Sequence, residues 1–187
     1  MKTIEFNNKI YPHFQSVGFA SKFIFPFAEQ VCIGKYGADV GCCKPEWAIW
    51  HKHFIETPYP WLKVLAHPTN KELYLIDPSI DSRYDATHFP TTASDLDYIF
   101  SSHCLEHCDD WVRVLDYWSN RLRSGGILFL YLPHYSQEYW RPWNNIKHKH
   151  VLDPNHIHDY LVSRGYKNIF ISGVDLNNSF SIMAEIS

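Results

Sequence analysis

With 187 residues, 45% of them hydrophobic and 17% aromatic, the chain can bury one sizeable core, and residues 1–187 read as a single domain. A net charge of −3 provides no general basic field, so nucleic acid is not an expected partner. No charged-then-apolar leader opens the chain and no apolar run reaches the length of a membrane span. The five cysteines are an odd number and two are adjacent, which reads as reduced thiols and a cytoplasmic setting rather than a disulfide framework.

In chain order, residues 1–32 read as an N-terminal arm followed by one or two short helices between Phe14 and Cys32, interrupted by Pro26. Tyr36–Gly41 is a short buried strand. Trp47–Ile55 is expected to be helical, started by Pro45-Glu46 and stopped by Thr57-Pro58. Glu72–Asp77 is a second buried strand, ended by Pro78. The interval from Asp77 to Asp85 is too short for a crossover helix and another strand. Asp97–Ser101 is the next strand. The period of Trp111, Val114, Leu115, Trp118 and Leu122 predicts an amphipathic helix. Gly125-Gly126 precedes a strand over Ile127–Leu132. A long loop rich in Trp, Asn, His and Lys spans about 134–152. Asp153 or Asn155 caps a helix running to Ser163 with Gly165 as its stop, and Asn168–Ser172 and Ser179–Ile186 are the last strands. Alternating strands and helices predict an α/β fold built on a doubly wound, mostly parallel sheet.

In such sheets ligands sit at the carboxyl ends of the strands, where the strand order reverses. Four stretches fall at such ends: Ala38-Asp39-Val40-Gly41-Cys42-Cys43, Ile76-Asp77-Pro78, Tyr84-Asp85-Ala86-Thr87, and Ser101-Ser102-His103-Cys104-Leu105-Glu106-His107. The dinucleotide fingerprint G-x-G-x-x-G is absent. In this order, and with Gly125-Gly126 before the next strand, the motifs resemble those of class I S-adenosylmethionine (SAM) dependent methyltransferases, close to the type 11 group.

The resemblance covers about Tyr36–Leu132 and, more loosely, the C-terminal helix and strands. It implies a Rossmann-like methyltransferase fold with an antiparallel last strand. The short Asp77–Asp85 interval adds that the family's third strand is short or missing, its place exposed or covered by residues 56–70. The resemblance also implies SAM as cofactor. Gly41 would then let the backbone approach the methionine moiety, flanked by Cys42 and Cys43. Asp39 would organise the turn or reach the ammonium. Asp77, followed by Pro78, would take the ribose hydroxyls, because a carboxylate offers two acceptor oxygens. Asp85 and Ala86 would meet the adenine, and Ser101, Ser102 and His103 would border the sulfonium. Cys43 departs from the family, which has a second glycine there.

Methyl transfer needs an aligned nucleophile and, where a proton leaves, a base. His134 ends a central strand, and His148 and His150 close the long loop, so these three are the candidate catalytic residues. The expected partner is a small-molecule or sugar-containing acceptor, without choice of acceptor or oligomeric state. Two other readings stand beside the methyltransferase. One is a catalytically inactive SAM-binding module, suggested by Cys43. The other is a zinc-dependent hydrolase, since His103, Glu106 and His107 fit H-x-x-E-H. No metal is part of the preferred reading.

Overall fold

The computed structural model describes residues 3–12, 24–55, 57–65 and 71–187. An eight-stranded mixed sheet forms the centre, in the order β4-β5-β6-β3-β7-β8-β10-β9. Its strands are β3 (Tyr36–Val40), β4 (Phe54–Ile55), β5 (Leu62–Leu65), β6 (Glu72–Ile76), β7 (Leu96–Ser102), β8 (Leu122–Pro133), β9 (Tyr166–Ile171) and β10 (Ser179–Ile186). The central strands β6, β3, β7 and β8 are parallel neighbours. β10 runs antiparallel to both β8 and β9. This is the arrangement that the resemblance implies, a mostly parallel Rossmann-like sheet with an antiparallel last strand.

The expected gap at the third strand is real. No strand or helix lies between Asp77 and Asp85. The edge beside β6 is covered instead by the hairpin of β4 and β5, which pairs antiparallel through Leu62–Tyr74 and Val64–Glu72. The cover thus comes partly from residues 56–70, as expected, and partly from Phe54-Ile55.

The strands alternate between two apolar layers, because successive side chains leave opposite faces of a sheet. Tyr74, Ile76, Ile99, Leu128, Leu130 and Leu132 face one layer with α2 (Trp111–Ser119) and α3 (Pro154–Ser163). Leu73, Leu75, Tyr98, Phe100, Phe129 and Tyr131 face the other, with α1 (Phe25–Val31). Asp110 caps α2 by accepting from the Arg113 N–H at 3.0 Å, and Asp153 caps α3 by accepting from Asn155 at 2.8 Å. Among the described residues no helix is long and apolar enough to cross a membrane.

Three local expectations are corrected. Residues 3–12, read as part of an arm, form a hairpin of β1 (Thr3–Phe6) and β2 (Lys9–Pro12). Asn7 and Asn8 take φ of 53° and 58°, the left-handed turn that a two-residue hairpin requires and asparagine tolerates. Ile4, Phe6 and Tyr11 are buried under it. Of the helices expected over Phe14–Cys32, α1 is present, while residues 13–23 lie outside the described residues. The helix expected over Trp47–Ile55 is replaced by two 3-10 turns, Pro45–Trp47 and His51–His53, leading into β4. Two acids withdraw its amides: Ile49 N–H donates to Asp39 at 2.8 Å and Trp50 N–H to Glu29 at 2.8 Å. Trp50 itself stands at φ 62°, which no α-helix accommodates. Gly125-Gly126 lie inside the long β8, beside a register shift between Leu96 and Tyr98, rather than before it.

Candidate functional site

The parallel register aligns the strand ends. Val40 sits opposite Ile76 on one side and opposite Ser101 on the other, and Ser102 sits opposite Tyr131. Gly41, Asp77, His103 and His134 therefore leave one edge of the sheet side by side. The order reverses around β3, which has β6 and β7 as its neighbours, so this rim is the place where such sheets bind ligands.

Asp77 links two of these loops. Its Oδ2 accepts from the Cys43 N–H at 2.9 Å, and its Oδ1 accepts from the Ser79 N–H at 2.9 Å and hydroxyl at 2.6 Å. The Ser79 hydroxyl also lies against the Cys43 carbonyl. A carboxylate has about four acceptor sites, so a diol that takes two must displace the Ser79 hydroxyl. Pro78 is exposed beside it.

Gly41 has φ 83°, and a Cβ there would stand 2.5 Å from the Cys104 Cβ and 2.7 Å from its Sγ. The glycine is thus demanded twice, by its own backbone and by Cys104 from the neighbouring loop. Cys43 is exposed with φ 67°, so a side chain occupies a conformation that suits glycine.

Asp39 is 2% exposed and its carboxyl is spent on Ile49, so it organises the turn. Burial pushes its pKa up to about 8, opposed by the Ile49 N–H and aided by the charge of Asp77. Cys42 packs into the layer with α1, and burial pushes its thiol up. Ser101 is wholly buried and donates to the Val40 carbonyl at 3.0 Å, tying β7 to β3. The side chains of Asp39, Cys42 and Ser101 are therefore turned inward, away from the rim. The Ser102 hydroxyl is buried without a hydrogen-bond partner.

The turn carrying Asp85 and Ala86 is pinned to α2. Trp118 Nε1 donates to the Ala86 carbonyl at 2.7 Å, and Phe89 N–H donates to the Tyr117 hydroxyl at 2.8 Å. Asp85 is exposed and accepts from the Thr87 N–H and hydroxyl.

His134, His148 and His150 line one narrow depression together with Tyr135, Trp140 and Arg141. The long loop contains a 3-10 turn, Glu138–Trp140. It is fastened to the β7 loop by the Glu106 carbonyl, which accepts from Lys149 N–H at 2.7 Å and His150 N–H at 3.4 Å. Hydrogen bonds fix the tautomers of two rings. His150 Nε2 donates to the Asp109 carbonyl at 3.1 Å, which leaves Nδ1 as its basic nitrogen. His134 Nδ1 accepts from the Ser136 N–H at 3.3 Å. Burial lowers the pKa of His134, against the charge of Asp153. A larger depression of about 560 Å³, lined by Lys35, Asp95, Asp97 and Arg123, lies at the opposite, amino-terminal edge of the strands. There Asp97 is already bound to Arg123 and to the Lys35 and Tyr36 N–H groups.

The H-x-x-E-H stretch is not a helical zinc-protease motif. His103 stands at φ 49°, and only a three-residue 3-10 turn, Leu105–His107, follows it. The stretch nonetheless brings side chains together that its spacing alone could not place: Glu106 is fully buried among His103, His107 and the distant His148.

The family model described as a methyltransferase domain matches residues 37–171, well over half of the chain. Comparison with curated proteins gives no match. Among solved structures, a SAM-dependent methyltransferase of Thermotoga maritima, described as a possible histamine N-methyltransferase, superposes with a TM-score of 0.61 at 12% identity over 87% of each chain. A SAM-dependent methyltransferase of Archaeoglobus fulgidus gives 0.61 at 14% identity, over 88% of this chain and 93% of that one. The N-methyltransferase NodS of Bradyrhizobium japonicum, solved with S-adenosylhomocysteine, gives 0.53 at 16% identity over 81% and 78%. At such identities the likeness is one of fold. Together with the family match over the motif-bearing strands, it places this chain in the class I SAM-dependent methyltransferase family.

Proposed function

We propose that the protein binds SAM along the rim formed by Gly41, Asp77, Asp85 and His103 and transfers its methyl group to a small-molecule or sugar-containing acceptor. The observation that carries this reading is Asp77: an acid at the end of β6, joined through the Cys43 N–H to the glycine turn after β3. That pairing sets a diol acceptor beside a turn that a backbone-hugging ligand can approach. Cys43, Pro78, Ala86 and Ser102 complete the cofactor side, while Asp39, Cys42 and Ser101 support it from beneath.

The acceptor side is the loop with His134, His148 and His150. His150 is the best-placed base, because the Asp109 carbonyl orients its ring and leaves Nδ1 to receive a proton. The five cysteines, none of them in a disulfide, accord with a cytoplasmic setting. Calorimetric titration with SAM, followed by a screen of acceptors with labelled SAM, tests the reading. Binding with methylated product supports it, and binding without product from any acceptor class would favour a SAM-binding module.

A further inference from the structure

The loop after β7 and the long loop after β8 meet in a cluster whose Glu106, His107 and His148 lie outside the proposed cofactor rim, while His103 borders both. Glu106 has no exposed surface, and neither of its carboxylate oxygens has a hydrogen-bond partner. Three imidazoles surround it. His103 Nδ1 stands 3.4 Å from Oε1 and His107 Nε2 stands 3.8 Å from the same oxygen. His148 is 3% exposed, and its Nδ1 is buried without a hydrogen-bond partner. One ligand atom each from Glu106, His107 and His148 fall within 4.8 Å of one another.

The outer contacts have the form that metal-binding histidines require. His107 Nδ1 donates to the Lys147 carbonyl at 2.8 Å, which leaves Nε2, the nitrogen on the Glu106 side, with its lone pair. His103 shares Nε2 with the Ser179 hydroxyl at 3.1 Å and turns Nδ1 to Glu106. His148 is held between Trp140, stacked at 5.2 Å, and the edge of His107 at 4.5 Å. A buried carboxylate with no hydrogen bond is costly unless a cation meets it, and Lys149 on the same loop is engaged with Asp109 at 3.0 Å.

We infer that Glu106, His107 and His148 form a binding site for a divalent first-row transition metal, with zinc the best match to two imidazole nitrogens and one carboxylate oxygen, and with His103 outside the ligand set as the neighbour of Glu106. Calcium and magnesium prefer all-oxygen cages and do not suit this donor set. Bonds of about 2.0–2.1 Å in a tetrahedral site set donor atoms about 3.3–3.4 Å apart. His107 Nε2, 3.8 Å from Glu106 Oε1, and His148, with all three donors within 4.8 Å of one another, reach this spacing by closing up to about 1.5 Å. His107, 40% exposed, is the side from which a metal enters. If the methyl-transfer reading holds, the site adjoins the acceptor loop, and an open metal position there would take an oxygen of the acceptor.

The test uses the full chain after chelator treatment, titrated with Zn2+ by calorimetry and with Co2+ by visible absorption, without SAM or acceptor. One equivalent should bind at micromolar concentration or tighter. His107→Asn and His148→Asn should each weaken binding at least tenfold, as should Glu106→Gln where it folds. Cys108→Ser should leave binding unchanged, and the Co2+ spectrum should lack thiolate bands. Absence of binding overturns the inference, and so does binding that survives the His107 and His148 variants or is lost with Cys108→Ser. Because SAM is absent, this result and the fate of the methyl-transfer reading are independent.

Discussion

Cys43 donates its backbone N–H to Asp77 across 2.9 Å, and so couples the turn after β3 to the acid at the end of β6. The donor is a main-chain group, which explains how a cysteine can replace glycine here without breaking the link. What cysteine does bring is a side chain on a backbone with φ 67°. Cys43→Gly should therefore raise stability by about 1 kcal/mol through relief of that conformation, offset in part by glycine's greater freedom when unfolded. SAM affinity should be equal to or better than that of the parent. Thermal unfolding with calorimetry reads both, and abolished binding would give the thiol a positive role.

Gly41 has no such latitude. Gly41→Ala puts a Cβ 2.5 Å from the Cys104 Cβ at φ 83°, and should cost about 1–3 kcal/mol. Denaturant unfolding measures the loss. A variant as stable as the parent would show that the β7 loop yields freely at this contact.

Asp39 should make stability depend on pH. Its pKa is near 8 in the folded protein against an ordinary 3.8, with burial the main cause. Between those values the folded state keeps a proton that the unfolded chain has lost, so stability falls as pH rises. The slope for this one group approaches, at most, about 1.4 kcal/mol per pH unit. Asp39→Asn keeps an oxygen for the Ile49 N–H and carries no titrating proton. Its unfolding free energy from urea melts at pH 5 and pH 8 should change less than the parent's, and identical changes would refute the assignment.

The loop histidines should separate from cofactor binding. His134→Asn, His148→Asn and His150→Asn should each leave SAM affinity within a few-fold of the parent. Once an acceptor is found, turnover should fall by about 10²-fold or more in the variant that removes the base, expected to be His150→Asn. Parental rates in all three would mean that alignment alone drives transfer.

Much of the sheet was legible in the sequence because its parallel strands are buried on both faces and read as short apolar runs: Leu73–Ile76, Tyr98–Ser101 and Ile127–Leu132. The missing third strand was legible from chain length between Asp77 and Asp85. The helix expected at Trp47–Ile55 was not, because Asp39 and Glu29 reach its amides from remote positions and no local pattern reports that. The β1–β2 hairpin does carry a local signal, Asn7-Asn8 between alternating residues, weaker than the Asn-Gly or Asp-Gly pair that marks such a turn most clearly. At the rim, the four stretches could be placed by motif order. The inward turn of Asp39, Cys42 and Ser101, and the meeting of Glu106 with His148, depend on packing across elements far apart in sequence.

SAM titration of the parent and of Asp77→Ala, side by side, is the most direct test of the cofactor rim. Two hydroxyl hydrogen bonds to a charged acceptor are worth about 1.5–3 kcal/mol each. The parent should bind, and Asp77→Ala should bind at least tenfold more weakly while its circular dichroism and melting curve stay close to the parent's. Equal affinity in the two proteins, or no binding by the parent, would contradict SAM at this site.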